Sequence, residues 1–262
     1  MTLRKTPFLI GEYYHIYNRG ILKNLIFRNE ADKRRFIKLL FICNSNKSVV
    51  FKTIQGRALD KIQRGETLVD IGTYCLMPNH FHILVKEKVE NGLSTFIQKL
   101  STAYAMYFNT KYERKGILFE GRFKSKHIDT DEYLNWVFSY IHLNPVKLID
   151  SNWKENGISD TTAAKNFIQN YKYSSYNDYF LKDRSEKVII NKDVFPDHFL
   201  QLDDFEELIK EFCQGLALAI FYFSVMHRYY NLRLKINCKR MSIRSIQDAV
   251  SADWYKKYIN VP

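Results

Sequence analysis

The sequence predicts an α+β fold, with helices on one face of a ferredoxin-like antiparallel sheet. Four short segments are rich in aromatic and β-branched residues and are bounded by turn residues, which is typical of strands. Three longer segments repeat their apolar residues with the period of a helix. Their order along the chain is β-α-β-β-α-β-α, which is that of a ferredoxin-like unit followed by one more helix.

The predicted strands are separated by turn residues. The first ends at Gly20, and Pro78 and Asn79 between the second and third are typical of a turn. The four strands cover residues 11–20, 68–77, 81–87 and 117–128.

The predicted helices cover residues 30–43, 91–113 and 129–144. The third opens with Asp129, Thr130, Asp131 and Glu132, which are capping and acidic residues of the kind found at helix N-termini. We expect it to end near Asn144, because the residue before a proline avoids the helical conformation and Pro145 follows.

The chain is predicted to have two parts. Residues 1–150 hold all of these elements and form one domain. Residues 151–262 are a C-terminal extension that we expect to be mostly helical, and no function is assigned to it. Within it, residues 203–227 look helical and partly apolar.

The composition favours a nucleic-acid partner. The 262 residues carry a net charge of +12, and 15% of them are aromatic. Phosphates attract a basic surface at long range, and aromatic rings stack on bases. The longest apolar run, residues 216–226, is shorter than the ~20 residues of a membrane-spanning helix. With no signal segment and no CxxC pair, we expect a cytoplasmic protein without a membrane partner.

The first candidate site is His80-Phe81-His82 at the start of the third predicted strand. Residues two apart on a strand share a face, so the two imidazoles can bind one divalent ion. The pair alone also fits one surface histidine and one half-buried structural histidine. A zinc site that includes Cys75 is another interpretation, although no second cysteine lies nearby.

The second candidate site is Tyr140 and Asn144 near the end of the third helix. Residues four apart share a helical face, so a tyrosine nucleophile and an amide metal ligand can point at the same place. The alternative is structural, with Tyr140 in an apolar stripe and Asn144 as a helix cap.

The third feature is the basic alternation of the fourth strand. Arg122, Lys124 and Lys126 lie on one face, with Phe119 and Phe123 on the other. Such a row fits a phosphate backbone, and it equally fits the solvated edge of a sheet.

Four motifs together resemble the IS200-like tyrosine transposases, and most closely the subgroup associated with repetitive extragenic palindromes. They are YHIYNRG (14–20), YCLMPNHFHILVK (74–86), GILFEGRFKSKHI (116–128) and YIHLNPVK (140–147). They occur in the family's order, and the resemblance extends from residue 8 to about residue 180.

The resemblance implies the HUH endonuclease fold and its site. His80 and His82 would bind the metal, Asn144 would complete the metal site, and Tyr140 would be the nucleophile. Many relatives carry Gln where the palindrome-associated subgroup has Asn. The mixed nitrogen and oxygen ligands suit Mg²⁺ or Mn²⁺.

The implied activity is transposition by single-strand cleavage and rejoining, through a 5′-phosphotyrosine intermediate at hairpin-flanked DNA ends. Arg122, Lys124, Lys126 and Arg19 are expected to bind the DNA. The protein would act as a monomer or a homodimer. His127 and His142 are expected to be structural or to face DNA.

Other interpretations stay open. The chain can be a non-catalytic DNA-binding protein derived from a transposase, or a zinc-stabilised RNA-binding module. A replication-initiator nuclease is a third possibility, although the sequence has no GxxxxGK[ST] phosphate loop. Tyr104, Tyr107 and Tyr112 on the preceding helix are rival nucleophiles.

Overall fold

The computed structural model describes residues 7–47, 54, 56–180 and 183–195. The predicted helical segment 203–227 lies outside the described residues, as does most of the C-terminal extension. No helix in the described ranges is long and apolar enough to cross a membrane.

Four antiparallel strands form one sheet in the order β2-β3-β1-β4. The predicted α+β class with an antiparallel sheet is therefore confirmed. The strands are β1 (Tyr13–Arg19), β2 (Val69–Met77), β3 (His80–Glu87) and β4 (Lys124–Ile128).

Strand β4 is shorter than the sequence predicts. Gly121 has a φ of +66°, a backbone conformation that side chains disfavour and that breaks the strand. Before it, Phe119 pairs with Gly20 only as an isolated bridge. The regular strand consequently starts at Lys124.

Helices α1 (Glu30–Cys43) and α2 (Gly92–Lys111) cover one face of the sheet. The ring of Phe36 on α1 contacts Phe81 of β3 at a centroid distance of 5.0 Å and Tyr104 of α2 at 4.9 Å. A capping box between Asn29 and Asp32 satisfies the first backbone N–H groups of α1.

Helix α3 (Asp131–Leu143) lies on the opposite face, so the prediction that the helices share one face holds only for α1 and α2. The Tyr140 ring contacts His82, which points away from Phe81 because successive strand residues alternate. All nine residues of β2 are buried, so both faces of this strand must be packed against other elements. The apolar side of α3 packs on the face opposite to α1 and α2.

The described residues after α3 form several short helices, and residues 171–180 and 183–195 run along β2. A one-turn 3₁₀ helix (Asn144–Leu148) precedes α4 (Trp153–Asn156), α5 (Thr161–Asn170) and α6 (Tyr176–Phe180). The backbone N–H of Leu76 donates to the Tyr173 carbonyl at 2.9 Å, and the Tyr179 hydroxyl donates to the Gly72 carbonyl at 2.8 Å. These contacts cover the edge of the sheet that β2 forms. The boundary at residue 150 stays a prediction.

Candidate functional site

Strand β3 places both candidate histidines on one face of the sheet. The register pairs Arg19 with His80 and Tyr17 with His82, and directly opposed residues of antiparallel strands share a face. The imidazole centroids of His80 and His82 lie 5.0 Å apart, and both side chains are buried.

Helix α3 brings Tyr140 to the same face. The Tyr140 ring lies 5.6 Å from the His82 ring, centroid to centroid. Asn144 follows one helical turn later, and its Nδ2 donates to the Tyr140 carbonyl at 2.9 Å. The structure thus joins the two predicted sites, which are far apart in sequence, into one cluster.

The ring of His80 is held in one orientation by its neighbour. Its Nδ1 lies 2.6 Å from Asn79 Oδ1, while the Asn79 amide group donates to the Lys23 carbonyl at 3.1 Å. Because Asn79 Oδ1 can only accept, the proton of His80 is on Nδ1 and the lone pair is on Nε2. Burial, with the charges of Lys154, Lys147 and Arg19, lowers the pKa of His80 to about 3 and keeps the ring neutral.

The buried acceptor atoms at the site that have no hydrogen-bond partner among the described residues include His80 Nε2 and Asn144 Oδ1. Buried polar atoms are nearly always satisfied, so atoms of this kind need an explanation. A divalent cation, which binds to lone pairs of nitrogen and oxygen, fits this donor set.

His15 on β1 is part of the cluster, and the sequence analysis missed it. Its Nε2 lies 2.9 Å from His82 Nδ1. Burial, with the charges of Lys126 and Lys154, lowers the pKa of His15 to about 3. The alternation of the first strand was a usable signal, because His15, Tyr17 and Arg19 share a face.

The Tyr140 ring is enclosed by aromatic and basic groups. Trp136 stacks on it with centroids 4.8 Å apart and an interplanar angle of 11°. Lys154 Nζ donates to Tyr140 Oη at 2.7 Å. Burial raises the pKa of Tyr140 above its ordinary value, and only 4% of the residue is exposed. No motif in the sequence pointed to Lys154.

A family model described as "Transposase IS200 like" matches residues 13–144, half of the chain. The protein belongs to the IS200-like transposase family. The matched range includes His80, His82, Tyr140 and Asn144.

The other comparisons add little to this assignment. No curated protein matches the chain. One solved structure, of a REP-associated tyrosine transposase bound to a REP hairpin, aligns with a TM-score of 0.38 and 15% sequence identity. That alignment covers 68% of this chain and 85% of the other.

In this IS200-like transposase the rival tyrosines, two on α2 and one directly after it, have structural partners. The Tyr104 hydroxyl donates to the Ile26 carbonyl at 2.5 Å. The hydroxyls of Tyr107 and Tyr112 donate to the buried carboxylate of Asp32 at 3.0 and 2.7 Å. These interactions tie α2 to α1 and to the loop before it, away from the histidine face.

The zinc interpretation finds no support in the described residues. Cys75 lies opposite His82 in the register, but burial raises the pKa of its thiol and disfavours the thiolate that zinc binds. The described ranges contain no group of three or more His, Cys, Asp or Glu side chains placed to hold a metal.

The predicted basic residues lie in different environments. Lys124 and Lys126 pair with Tyr17 and His15 and so share the histidine face. Lys126 is half-buried, and burial lowers the pKa of its amine to about 8. Arg122 is exposed in the segment before β4.

Arg19 and the two remaining histidines interact with other protein groups. The Nε and Nη2 groups of Arg19 donate hydrogen bonds to the two carboxylate oxygens of Glu120. The exposed His127 lies 2.6 Å from Glu12 Oε2. His142 is buried, and its Nε2 lies 2.8 Å from Ser175 Oγ.

Proposed function

We propose that this IS200-like transposase cleaves and rejoins single-stranded DNA by transesterification, with Tyr140 as the nucleophile and a divalent ion bound by His80, His82 and Asn144. The observation that carries the proposal is the contact between Tyr140 and His82 across two elements, at 5.6 Å between ring centroids. A tyrosine beside two buried imidazoles suits metal-assisted attack on phosphorus.

The ion would be held by two nitrogens and one oxygen. His80 would bind through Nε2 and Asn144 through Oδ1, and both are buried atoms without a hydrogen-bond partner among the described residues. His82 would bind through Nε2, because its Nδ1 faces His15. Such a set suits Mn²⁺ or Mg²⁺, and the bound ion would orient the phosphate and stabilise its developing charge.

The residues of the chain would perform the rest of the reaction. A bond forms between Tyr140 Oη and phosphorus while the bond from phosphorus to the 3′ oxygen breaks. The products are a 5′-phosphotyrosine and a free 3′-OH, and attack by another 3′-OH reverses the step and joins new strands. Because Tyr140 is only 4% exposed, DNA must displace part of its cover before the attack.

The basic strand β4 would hold the DNA backbone next to this site. Lys124 and Lys126 share the histidine face, and Arg122 precedes them. Arg19 would contact phosphate only by exchanging or sharing its Glu120 partner. The motif resemblance to the palindrome-associated subgroup supports hairpin-flanked DNA ends as the substrate.

The test is the formation of a covalent protein–DNA adduct. Labelled single strands from the DNA flanking the gene are incubated with the protein and Mn²⁺ or Mg²⁺, then separated on a denaturing gel. We expect a metal-dependent adduct that is lost in Tyr140→Phe and in His82→Ala. Tyr112→Phe is the matched control, because its hydroxyl bonds to Asp32, and it should keep the adduct.

Each contrary outcome has a definite meaning. An adduct that survives in Tyr140→Phe would show that another tyrosine is the nucleophile. Tight hairpin binding without any adduct, in protein that still binds Mn²⁺, would favour a DNA-binding protein without turnover.

A further inference from the structure

Lys154 contacts the oxygen that the proposed reaction uses. Its Nζ donates to Tyr140 Oη at 2.7 Å and also lies 4.6 Å from the centroid of the Tyr140 ring. Lys154 is half-buried. Its ammonium group therefore lies directly against the phenol of Tyr140.

The chain holds Lys154 in place from a segment beyond the part that matches the family model, which ends at residue 144. Asn144–Leu148 forms a 3₁₀ turn, and the Asp150 N–H donates back to the Val146 carbonyl at 2.8 Å. Trp153, three residues after Asp150, is 2% exposed and anchors α4 in the core. Its neighbour Lys154 is thereby directed at Tyr140.

We propose that Lys154 is a catalytic residue, which contacts Tyr140 Oη before the attack and a non-bridging oxygen of the scissile phosphate during it. This role rests on the proposed function. In the transition state Oη and the phosphate oxygens are bonded to the same phosphorus. A donor at hydrogen-bond distance from Oη is consequently within reach of those oxygens.

Lysine suits this role because its flexible stem carries a compact charge with three donors. The Oη–P bond forms, the P–O3′ bond breaks, the phenolic proton passes to water, and the 3′ oxygen takes a proton from water. Lys154 keeps its three protons throughout and supplies charge and hydrogen bonds where negative charge develops.

The experiment separates DNA binding from chemistry. Single-turnover rates of adduct formation at saturating DNA, and the Kd for the same DNA in Ca²⁺, are measured for the wild type, Lys154→Met and Lys154→Arg. We expect Lys154→Met to slow the adduct step by about 100- to 1,000-fold with a change of only a few-fold in Kd. Lys154→Arg, which retains charge and donors, should recover part of the rate.

Lys61→Met is the matched control, because that lysine has a 77% exposed side chain and pairs only with the adjacent Asp60 in the described contacts. It should react at the wild-type rate. If Lys154→Met lowers the thermal stability of the fold, Lys154→Gln replaces it as the neutral variant.

The results that overturn the role are distinct from those that overturn the function. A wild-type adduct with an unchanged rate in the neutral variant would remove Lys154 from catalysis. A loss of rate that is matched by an equal loss of affinity, and that saturating DNA restores, would make Lys154 a binding residue instead. If the wild type forms no adduct, the proposed function fails and this role fails with it.

Discussion

The imidazoles of His15 and His82 meet with 2.9 Å between Nε2 of the first and Nδ1 of the second. Both residues are at most 1% exposed. A neutral imidazole has one donor and one acceptor nitrogen, so one ring donates and the other accepts. If His82 binds a metal through Nε2, its Nδ1 carries the proton and His15 Nε2 accepts it. His15 would then fix the orientation of a metal ligand.

Replacing His15 should therefore weaken metal binding. We expect His15→Phe to reduce the Mn²⁺ affinity by about 10- to 100-fold, because His82 loses its acceptor. His15→Gln should lose less Mn²⁺ affinity, since the amide oxygen of Gln can accept the hydrogen bond from His82 Nδ1. Isothermal titration calorimetry measures both affinities, and His127→Gln, an exposed histidine on the other face of the sheet, is the control. Equal Mn²⁺ affinities in all three variants would show that His15 does not orient His82 for metal binding.

The apoprotein should lose stability in mild acid. Burial is the largest cause that lowers the pKa values of His15, His80 and His142 from 6.5 to about 3. Below pH 6.5 the unfolded chain binds protons that the folded chain does not, so the free energy of unfolding falls as the pH falls from about 6.5 towards 3. Each histidine contributes up to about 1.4 kcal/mol per pH unit in that window.

Urea unfolding of chelator-treated protein at pH 7.5 and 5.5 measures this loss. His142→Gln should show a smaller difference between the two pH values, because one buried imidazole is gone. The same free energy of unfolding at both pH values in the wild type would show that these histidines are not held neutral.

Single-stranded DNA binding should weaken above pH 8. Burial lowers the pKa of Lys126 to about 8, and only the ammonium form attracts phosphate. Well above that pKa, binding through this group needs one proton from solution, which costs up to about tenfold in affinity per pH unit. Fluorescence anisotropy at constant salt, between pH 7 and 9.5, measures the trend.

The Lys126→Met variant should bind single-stranded DNA more weakly than the wild type at pH 7. It should also lack the fall in affinity above pH 8 that this lysine causes. Lys124→Met on the same strand removes an exposed charge and should leave the slope between pH 8 and 9.5 intact. A slope that persists in Lys126→Met would assign the pH dependence to another group.

The Asp32 carboxylate should contribute strongly to the free energy of unfolding and should not be needed for adduct formation. Its buried carboxylate accepts hydrogen bonds from Lys111 at 2.6 Å, from Tyr112 at 2.7 Å and from Tyr107 at 3.0 Å. We expect Asp32→Ala to lower the free energy of unfolding by about 3 kcal/mol, because several donors lose one buried acceptor. The adduct should still form at low temperature.

Urea unfolding gives the free energy, and Asp60→Ala, which removes a carboxylate from an exposed pair with Lys61, should change it by less than about 1 kcal/mol. Loss of the adduct in folded Asp32→Ala protein would bring the tyrosines of α2 back as candidates for the nucleophile.

Local sequence was sufficient for several features of this protein. The alternation of strand residues puts His80 and His82 on one face, and the helical period puts Tyr140 and Asn144 on one side of α3. Pro145 marks the end of that helix, and α3 does end at Leu143. These features depend on neighbours within one helical turn or two strand positions, so a short window of sequence contains them.

The tertiary structure alone decided the rest. The face of the sheet that α3 covers, the contact of His15 with His82 and the contact of Lys154 with Tyr140 all depend on how separate elements pack. The pairing of Arg19 with Glu120 likewise joins residues about a hundred positions apart. A hydrophobic period shows that a helix has an apolar side, but it does not say which surface that side covers. Such contacts are set by the packing of the whole chain, which no local pattern contains.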